Sequence, residues 1–248
     1  MREPQHFGAI IIVGGGCYGS YYVRQLARAH AAGAAIWAEL IVVDHDPRCR
    51  VANLPDDERP PGLRVEVSTW AAFFAKYLGE RAAQIGESAD AVVPSPLMPH
   101  LFADWIGARA RDRWPNRAVE IAPLASTPDV PWQRAAGDTH YVSFAEWMCP
   151  INCIEPAKCP ATKGPRSWSM PTAIAAYAEQ ERDAGRRVDG EFTFHCSHRT
   201  HGVGMIDVRE IIAADRTVAE RGATGTAEFV IATASHCHGA LRRIIVRD

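Results

Sequence analysis

The stretch AIIIVGGGCYG, residues 9–19, decides the fold of the first half of the chain. Its five apolar residues, 9–13, run directly into a glycine turn, which predicts a short buried strand. The segment that follows, residues 17–32, has its apolar side chains on one face and ends at Gly33, a typical helix stop. A strand, a glycine turn and a helix in succession are the beginning of a βαβ unit.

The same alternation continues through the first half. Further strands are predicted over residues 40–43, 63–67, 91–93 and 119–121, and helices over residues 70–78 and 97–111. Repeated βα units are typical of a parallel sheet with helices on both faces. The predicted fold class is therefore α/β, with a doubly wound parallel sheet.

The second half is less regular. It predicts a loop over residues 123–138, strands over 141–144, 192–194 and 228–232, helices over 172–183 and 206–220, and an irregular Cys- and Pro-rich insertion over 146–166. The last segment, residues 241–246, fits either a strand or a helix. We therefore predict two domains, a dinucleotide-binding domain over residues 1–115 and a Cys/His-rich α/β region over residues 116–248.

Composition excludes several classes of protein. The chain has 248 residues, 47% of them hydrophobic and 23% charged, with a formal net charge of −2, which is typical of a globular protein rather than a disordered tail, a collagen or a coiled coil. A near-neutral chain also lacks the excess of cations that non-specific nucleic-acid binding requires. No apolar run reaches the roughly 18 residues that span a bilayer, and no leader peptide is recognisable. These observations predict a cytoplasmic protein, in which clustered cysteines indicate a metal site or redox chemistry.

The glycine turn has the spacing G-x-G-x-x-G, formed by Gly14, Gly16 and Gly19. Glycines at these positions permit a tight turn and the close approach of a pyrophosphate to a helix N-terminus. Asp44 ends the second predicted strand, 25 residues after Gly19, where a carboxylate can accept hydrogen bonds from ribose hydroxyls. The carboxylate favours NAD over NADP, although Arg48 and Arg50 nearby weaken that preference. The alternatives are a turn that keeps its glycines for geometry alone and an aspartate that only caps its strand.

The motifs IIVGGGCYGS, residues 11–20, and IVVDHDPR, residues 41–48, resemble the Rossmann dinucleotide-binding superfamily. Over residues 9–113 the chain is most similar to the nucleotide-binding domains of potassium-transport regulators and precorrin-2 dehydrogenases. The resemblance implies a Rossmann-like sheet and an NAD(P) cofactor held by the glycine turn and Asp44. In the regulators an acidic residue usually follows the third strand, and here Ser68, Thr69 and Trp70 stand in its place.

Three cysteines of the segment MCPINCIEPAKCPATKGPRSW, residues 148–168, have the spacing C-x3-C-x5-C. Thiolates this dense repel one another unless a cation neutralises them, and Cys followed by Pro recurs at iron–sulfur ligands. We predict that Cys149, Cys153 and Cys159 bind a metal, foremost a 4Fe-4S cluster, with Cys196 or Cys237 as the fourth ligand. Zinc and reduced, buried thiols are the alternatives.

Histidines surround the two candidate fourth ligands, in the segments HCSHRTH, residues 195–201, and HCH, residues 236–238. Each of these segments, like the cysteine segment and the glycine turn, follows a predicted strand. If those strands were parallel members of one sheet, all four segments would meet at one edge, where α/β sheets bind ligands. His198 or His201 would then act as general acid or base, and Arg166 and Arg199 would hold an anionic substrate.

The leading hypothesis is an NAD(P)-dependent oxidoreductase with a metal–thiolate centre facing the nucleotide crevice. Nicotinamide transfers two electrons and a cluster accepts one, so the cluster requires a flavin as intermediary, whereas zinc would act as a Lewis acid. A non-enzymatic module that senses nucleotide or redox state is the second hypothesis, and a Rossmann protein for S-adenosylmethionine or a tetrapyrrole precursor is the third. The expected partner is a small anionic substrate. Binding to nucleic acid or to a membrane is not expected. Association with a second copy of the chain or with a redox protein is left open.

Overall fold

The chain forms two compact units, and each unit is built from three separate segments of the chain. The computed structural model describes residues 3–84, 88–147 and 149–248. Unit 1 comprises residues 1–98, 150–154 and 196–212, and unit 2 comprises residues 99–149, 155–195 and 213–248. Met148, the first residue of the cysteine segment, lies outside the described residues.

Unit 1 contains a six-stranded sheet. Its strands are β1 (Gln5–Val13), β2 (Ala35–Asp44), β3 (Leu63–Val67), β4 (Ala91–Val93), β9 (Ser197–Thr200) and β10 (Val203–Asp207). Their order is β3-β2-β1-β4-β10-β9, and the first four are parallel. Strand β10 is antiparallel to both β4 and β9, so the sheet is mixed.

Helices α1 (Cys17–Ala31) and α2 (Trp70–Ala83) connect the parallel strands of unit 1, and a short 3-10 helix spans Asp56–Glu58. Leu26 and Val23 on α1 are fully buried against Ile10 and Ile12 of β1, which alternate along the strand as a sheet face requires. Ile11, which points to the opposite face, is buried as well. The continuous apolar run of β1 is therefore explained by burial on both sides of the sheet.

Unit 2 contains a second mixed sheet. Its strands are β5 (Val119–Ala122), β6 (Trp132–Ala136), β7 (Thr139–Ser143), β8 (Gly190–His195), β11 (Ala227–Ala234) and β12 (His238–Val246). Their order is β6-β7-β12-β11-β8, and β5 pairs with the far part of β12. Helices α3 (Leu101–Arg113) and α4 (Met170–Asp183) belong to this unit, while α5 (Val208–Gly222) begins in unit 1 and ends in unit 2.

Strands β7, β11 and β8 run in the same direction. Strand β8 is parallel to β11, and β12 is antiparallel to both β11 and β7. Their last residues, Ser143, Ala234 and His195, therefore lie at one edge of the second sheet. The cysteine segment and both histidine segments begin from this edge.

The structure differs from four expectations. The glycine turn follows a strand of the first sheet, whereas the other three segments follow strands of the second, so the prediction that all four follow strands of one sheet is wrong. The predicted loop over residues 123–138 contains β6, and the predicted helix over 206–220 is preceded by β10, which includes its first two residues. Unit 1 also takes residues 150–154 and 196–212 from beyond the predicted domain boundary at residue 115, because β9 and β10 extend the first sheet.

No described helix is both long and apolar enough to cross a membrane. The α/β class that the sequence predicts is confirmed by the alternating strands and helices of unit 1 and by the helices of unit 2.

Candidate functional site

The glycine turn of unit 1 is shaped by two of its three motif glycines. Gly14 has a φ of +90°, which favours glycine, and its N–H donates to the Val43 carbonyl at 2.9 Å. A methyl group on Gly19 would lie only 1.9 Å from the Gly14 carbonyl oxygen, so α1 approaches the turn too closely for any side chain. Gly16 differs, because a methyl group there would meet nothing within 4 Å.

Asp44 is tied to the same turn. Its Oδ2 accepts the Gly15 N–H at 2.6 Å and its Oδ1 accepts the Asp46 N–H at 2.9 Å. The following loop folds back over the turn, since the Val51 N–H donates to the Gly15 carbonyl at 3.0 Å and the Cys49 thiol packs against Gly15. The buried carboxylate thus fixes the turn, and it keeps acceptor capacity because an ionised carboxylate has about four lone-pair sites.

The strands β9 and β10 form a hairpin that brings a thiol and an imidazole together. A methyl group on Gly204 would lie 2.6 Å from Sγ of Cys196 and 3.9 Å from Cε1 and Nδ1 of His198. The His198 Nδ1 is 2.9 Å from the Gly202 carbonyl oxygen, which can only accept a hydrogen bond. Nδ1 therefore carries a proton and donates it to this carbonyl.

Tyr22 of α1 belongs to the same neighbourhood. Burial raises the pKa of Tyr22 to about 12, and the nearby Cys196 adds to this effect. The phenol therefore stays protonated at neutral pH.

The two other candidates on this hairpin have different settings. His201 occupies the turn with a φ of +45° and is exposed. The guanidinium of Arg199 pairs with the Asp207 carboxylate at 3.1 Å and donates to Ser197 Oγ at 3.0 Å. Arg199 thus stabilises the hairpin, and its predicted role in holding a substrate remains a prediction.

Cys159 lies at the start of a tight turn in unit 2. The Cys159 N–H donates to the Gly164 carbonyl, and the Lys163 N–H donates to the Cys159 carbonyl, both at 2.9 Å. Hydrogen bonds from the backbone of Thr162 and Ala161 to the sulfur, together with the charge of Arg166, lower the pKa of Cys159. The turn therefore stabilises the thiolate more than an ordinary cysteine environment does.

Cys237 is buried beside the same arginine. The indole N–H of Trp168 donates to its Sγ at 3.3 Å. Burial raises the pKa of Cys237, and the hydrogen bond from Trp168 and the positive charge of Arg166 offset only part of that effect. In unit 2 the pKa values of these two thiols are therefore shifted in opposite directions. The predicted role of Arg166 in holding a substrate remains a prediction.

The segment around Cys237 is fixed by its neighbours on both sides. The His236 N–H donates to Glu155 Oε1 at 2.9 Å, and Glu155 itself has a φ of +51°. Nδ1 of His238 is 2.8 Å from Ser143 Oγ, which joins the first residue of β12 to the last residue of β7. Burial lowers the pKa of His238, so its ring is neutral near pH 7.

The predicted metal ligands fall into both units. Cys153 and Cys196 belong to unit 1, and Cys149, Cys159 and Cys237 belong to unit 2. Within the residues that the structure describes, no three or more His, Cys, Asp or Glu side chains are grouped so that they could hold a metal ion. The iron–sulfur cluster and the zinc alternative remain predictions from the sequence.

Several residues of these sites were missed by the sequence analysis. Glu155 and Trp168 contact the segment around Cys237, yet neither stands in a motif that predicts such a contact. Gly204 makes room for Cys196 from another strand, which a single sequence does not reveal. The Cys159 turn did have a signal, because Pro160 and Gly164, residue types typical of turns, flank residues 161–163.

Comparison with known proteins gives one result for the second half of the chain. A family model described as "AF_1314_C: Uncharacterized protein, C-terminal domain" matches residues 102–247. No curated protein and no solved structure matches the chain.

Proposed function

We propose that the protein is an NAD(P)-dependent oxidoreductase whose nucleotide is held by unit 1. The chain belongs to the AF_1314_C family, since the model of that family covers more than half of it. The observation that carries the proposal is the open space in front of Gly16. The family description names no activity, so the argument depends on the residues of unit 1.

The sheet order of unit 1 supports a doubly wound, Rossmann-like origin for this unit. Its parallel strands have the order β3-β2-β1-β4, which is the order of the first four strands in the Rossmann fold. The strand order reverses between β1 and β4, and dinucleotides bind at the carboxyl ends of the strands at such a point. The glycine turn lies directly after β1 at this place.

Gly16 is the motif glycine with open space in front of its Cα. Gly14 needs its positive φ, and Gly19 is needed for the close approach of α1 to the turn. Gly16 has a φ of −75° and a ψ of −147°, and a methyl group on it would meet no atom within 4 Å. A glycine is explained there if a ligand approaches the backbone in that space.

The neighbouring groups suit a dinucleotide. Gly16 is the N-cap of α1 and makes no side-chain cap, so the first N–H groups of the helix are available to a pyrophosphate. Asp44 can accept hydrogen bonds from ribose hydroxyls with its remaining lone pairs. A carboxylate at this position favours NAD over NADP. When bound, the nicotinamide would supply a hydride donor or acceptor, and His198, which belongs to the same unit, would accept or donate a proton.

The described side chains do not by themselves form a ligand set for an iron–sulfur cluster or zinc. We therefore derive no catalytic step through a metal.

Titration calorimetry of the full chain with NAD, NADP and S-adenosylmethionine tests the proposal. We expect saturable binding of NAD or NADP and a rise in melting temperature, because a ligand that binds only the folded state stabilises it. S-adenosylmethionine lacks a pyrophosphate and serves as the control. Preferential binding of S-adenosylmethionine, or no binding of either dinucleotide at millimolar concentration, would contradict the proposal.

A second function, redox sensing, is favoured by the turn around Cys159. The backbone hydrogen bonds that lower the pKa of Cys159 favour its thiolate, the form that oxidants attack, at a residue that is 3% exposed. If the protein is a sensor, hydrogen peroxide should change its nucleotide affinity, and Cys159→Ser should abolish the change. An oxidised wild-type protein with unchanged affinity would argue against this alternative.

A further inference from the structure

We propose that Trp70 is a stacking platform for the base of the nucleotide and that this subsite accepts any purine. Trp70 is the first residue of α2 and follows strand β3. The proposal rests on the proposed function, because it concerns the nucleotide that unit 1 would hold. It adds which ring system unit 1 recognises and how little it distinguishes one purine from another.

The end of β3 is the place that the base of such a nucleotide would reach. Asp44 at the end of β2 lies opposite Val67, the last residue of β3, and the Ser68 N–H donates to the Asp44 carbonyl at 2.9 Å. In a nucleotide the sugar stands between the phosphate and the base. With the phosphate at the turn after β1 and the sugar at the end of β2, the base is directed toward β3, the next strand along, about 4.8 Å away.

The indole of Trp70 is held beside this place by two contacts on one of its edges. Its Nε1 donates to the Val43 carbonyl at 2.9 Å, and a methyl group on Gly14 would lie 3.3 Å from its Cζ2. Nε1 and Cζ2 are separated by a single ring atom, so both contacts fix the same edge. The residue is half-buried, which leaves part of it exposed. An aromatic ring fixed in this way loses little further freedom when a base stacks on it.

The neighbours of Trp70 in the chain add apolar surface and hydroxyl groups. Val67 is 54% exposed although it is a large apolar residue. Ser68 Oγ donates to the Thr69 carbonyl at 3.1 Å, and Thr69 Oγ1 accepts the Ala72 N–H at 3.2 Å as the N-cap of α2. The indole N–H is already used by the carbonyl at the end of β2. What residues 67–70 offer a base is therefore a π system, apolar surface and two hydroxyl groups.

This set of groups binds a purine without reading its edge. Adenine carries an amino group where hypoxanthine and guanine carry a carbonyl oxygen. Residues 67–70 contain no carboxylate and no amide side chain, and a hydroxyl group can accept from the amino group or donate to the carbonyl oxygen. Stacking is equally tolerant, because every base has a π face. Trp70 therefore supplies affinity for the base with little selectivity among purines.

Titration calorimetry of the full chain with NAD and two analogues, in which hypoxanthine or guanine replaces adenine, tests this tolerance. We expect the three dissociation constants to agree within about fivefold, because a bidentate pair to a base edge would separate them by about that factor or more. Trp70→Leu should weaken the binding of all three by at least about fivefold through the loss of stacking. Trp132→Leu, which removes a residue of unit 2 that is 42% exposed, is the matched control and should leave the affinities unchanged.

Tryptophan fluorescence in the presence of AMP gives a readout that a purely structural Trp70 would not change. Adenine absorbs at shorter wavelengths than those at which tryptophan emits, so quenching by AMP reports a stacking contact. We expect AMP to quench the wild-type protein. Trp70→Phe keeps an aromatic ring and serves if Trp70→Leu fails to fold, and it should bind AMP in calorimetry without that quenching.

The outcomes separate this proposal from the proposed function. If dinucleotides bind as tightly to Trp70→Leu as to the wild type, or if the three bases differ by more than about fivefold, the proposal is wrong and the proposed function stands. If no dinucleotide binds while AMP binds and quenches through Trp70, the base subsite stands and the proposed function fails. If neither AMP nor a dinucleotide binds, both fail.

Discussion

Substitution of alanine at Gly16 and at Gly19 separates nucleotide binding from folding. At Gly19 the new methyl group would lie 1.9 Å from a backbone oxygen, which cannot move without shifting the turn. Overpacking of this kind costs about 1–3 kcal/mol, which for a chain of this size lowers the melting temperature by roughly 2–12 °C. At Gly16 the methyl group meets no atom within 4 Å, so we expect a smaller loss of stability than at Gly19.

For nucleotide binding we expect the substitution at Gly16 to have the clear effect. A methyl group in the space where the pyrophosphate approaches should weaken NAD binding at least about tenfold, which corresponds to roughly 1.4 kcal/mol. Thermal unfolding measures the first effect, and titration calorimetry at a temperature where both variants are folded measures the second. A Gly16→Ala variant that binds NAD as tightly as the wild type would refute the reasoning, because the open space would then not be the binding site.

Three other predictions concern buried charges and thiols. Hydrogen bonds from Arg186 lower the pKa of the buried Glu181, so its contribution to stability is present above the ordinary carboxyl range and is lost as the pH falls through the lowered pKa. Urea unfolding should show the wild-type free energy falling below about pH 4.3, and falling less in Glu181→Gln. Asp215→Asn removes a carboxylate, 3% exposed, from between two arginines of α3 and should cost about 2 kcal/mol in the same assay. Site-resolved alkylation across pH should give a lower midpoint for Cys159 than for Cys237, since their pKa values are shifted in opposite directions, and equal midpoints would contradict the roles of the turn and of burial.

The first half of the fold was predictable because its signals are local. The apolar run before the glycine turn, the strand over residues 63–67 and the strand over residues 91–93 are confirmed, as is α1 to within one residue. Each of these elements is bounded by a glycine, an aspartate or a proline close in sequence. Burial on both faces of the sheet gives the end of β1 and β4 continuous apolar runs, whereas the strand over residues 63–67 alternates apolar and charged residues.

The errors arise where long-range pairing decides the structure. Strand β6 is exposed along its whole length and lacks the apolar alternation that marks a half-buried strand, so only its pairing with β7 reveals it. Strand β10 is apolar and passes directly into α5, and its last residues therefore read as the first turn of that helix. Its pairing with β4 joins segments that are more than a hundred residues apart in the chain.

The candidate site shows the same division. The spacing of the glycines and the position of Asp44 at the end of a strand are visible in the sequence, and the structure links them through the Gly15 N–H. The adjacency of Cys196 and His198 could be suspected from their spacing, but the space above Gly204 depends on the hairpin. The contacts of Cys237 with Trp168 depend on loops that no sequence period describes.

The return of residues 196–212 to the first sheet bears on how this protein can be dissected. A fragment ending at residue 98 or 115 would leave the hydrogen-bonding edge of β4 bare, and such edges recruit other chains. A fragment that begins at residue 102, where the family model begins, would carry β9 and β10 with no sheet to join. Limited proteolysis in the connecting loops should therefore yield nicked pieces that stay associated, and recombinant halves should regain solubility when they are expressed together.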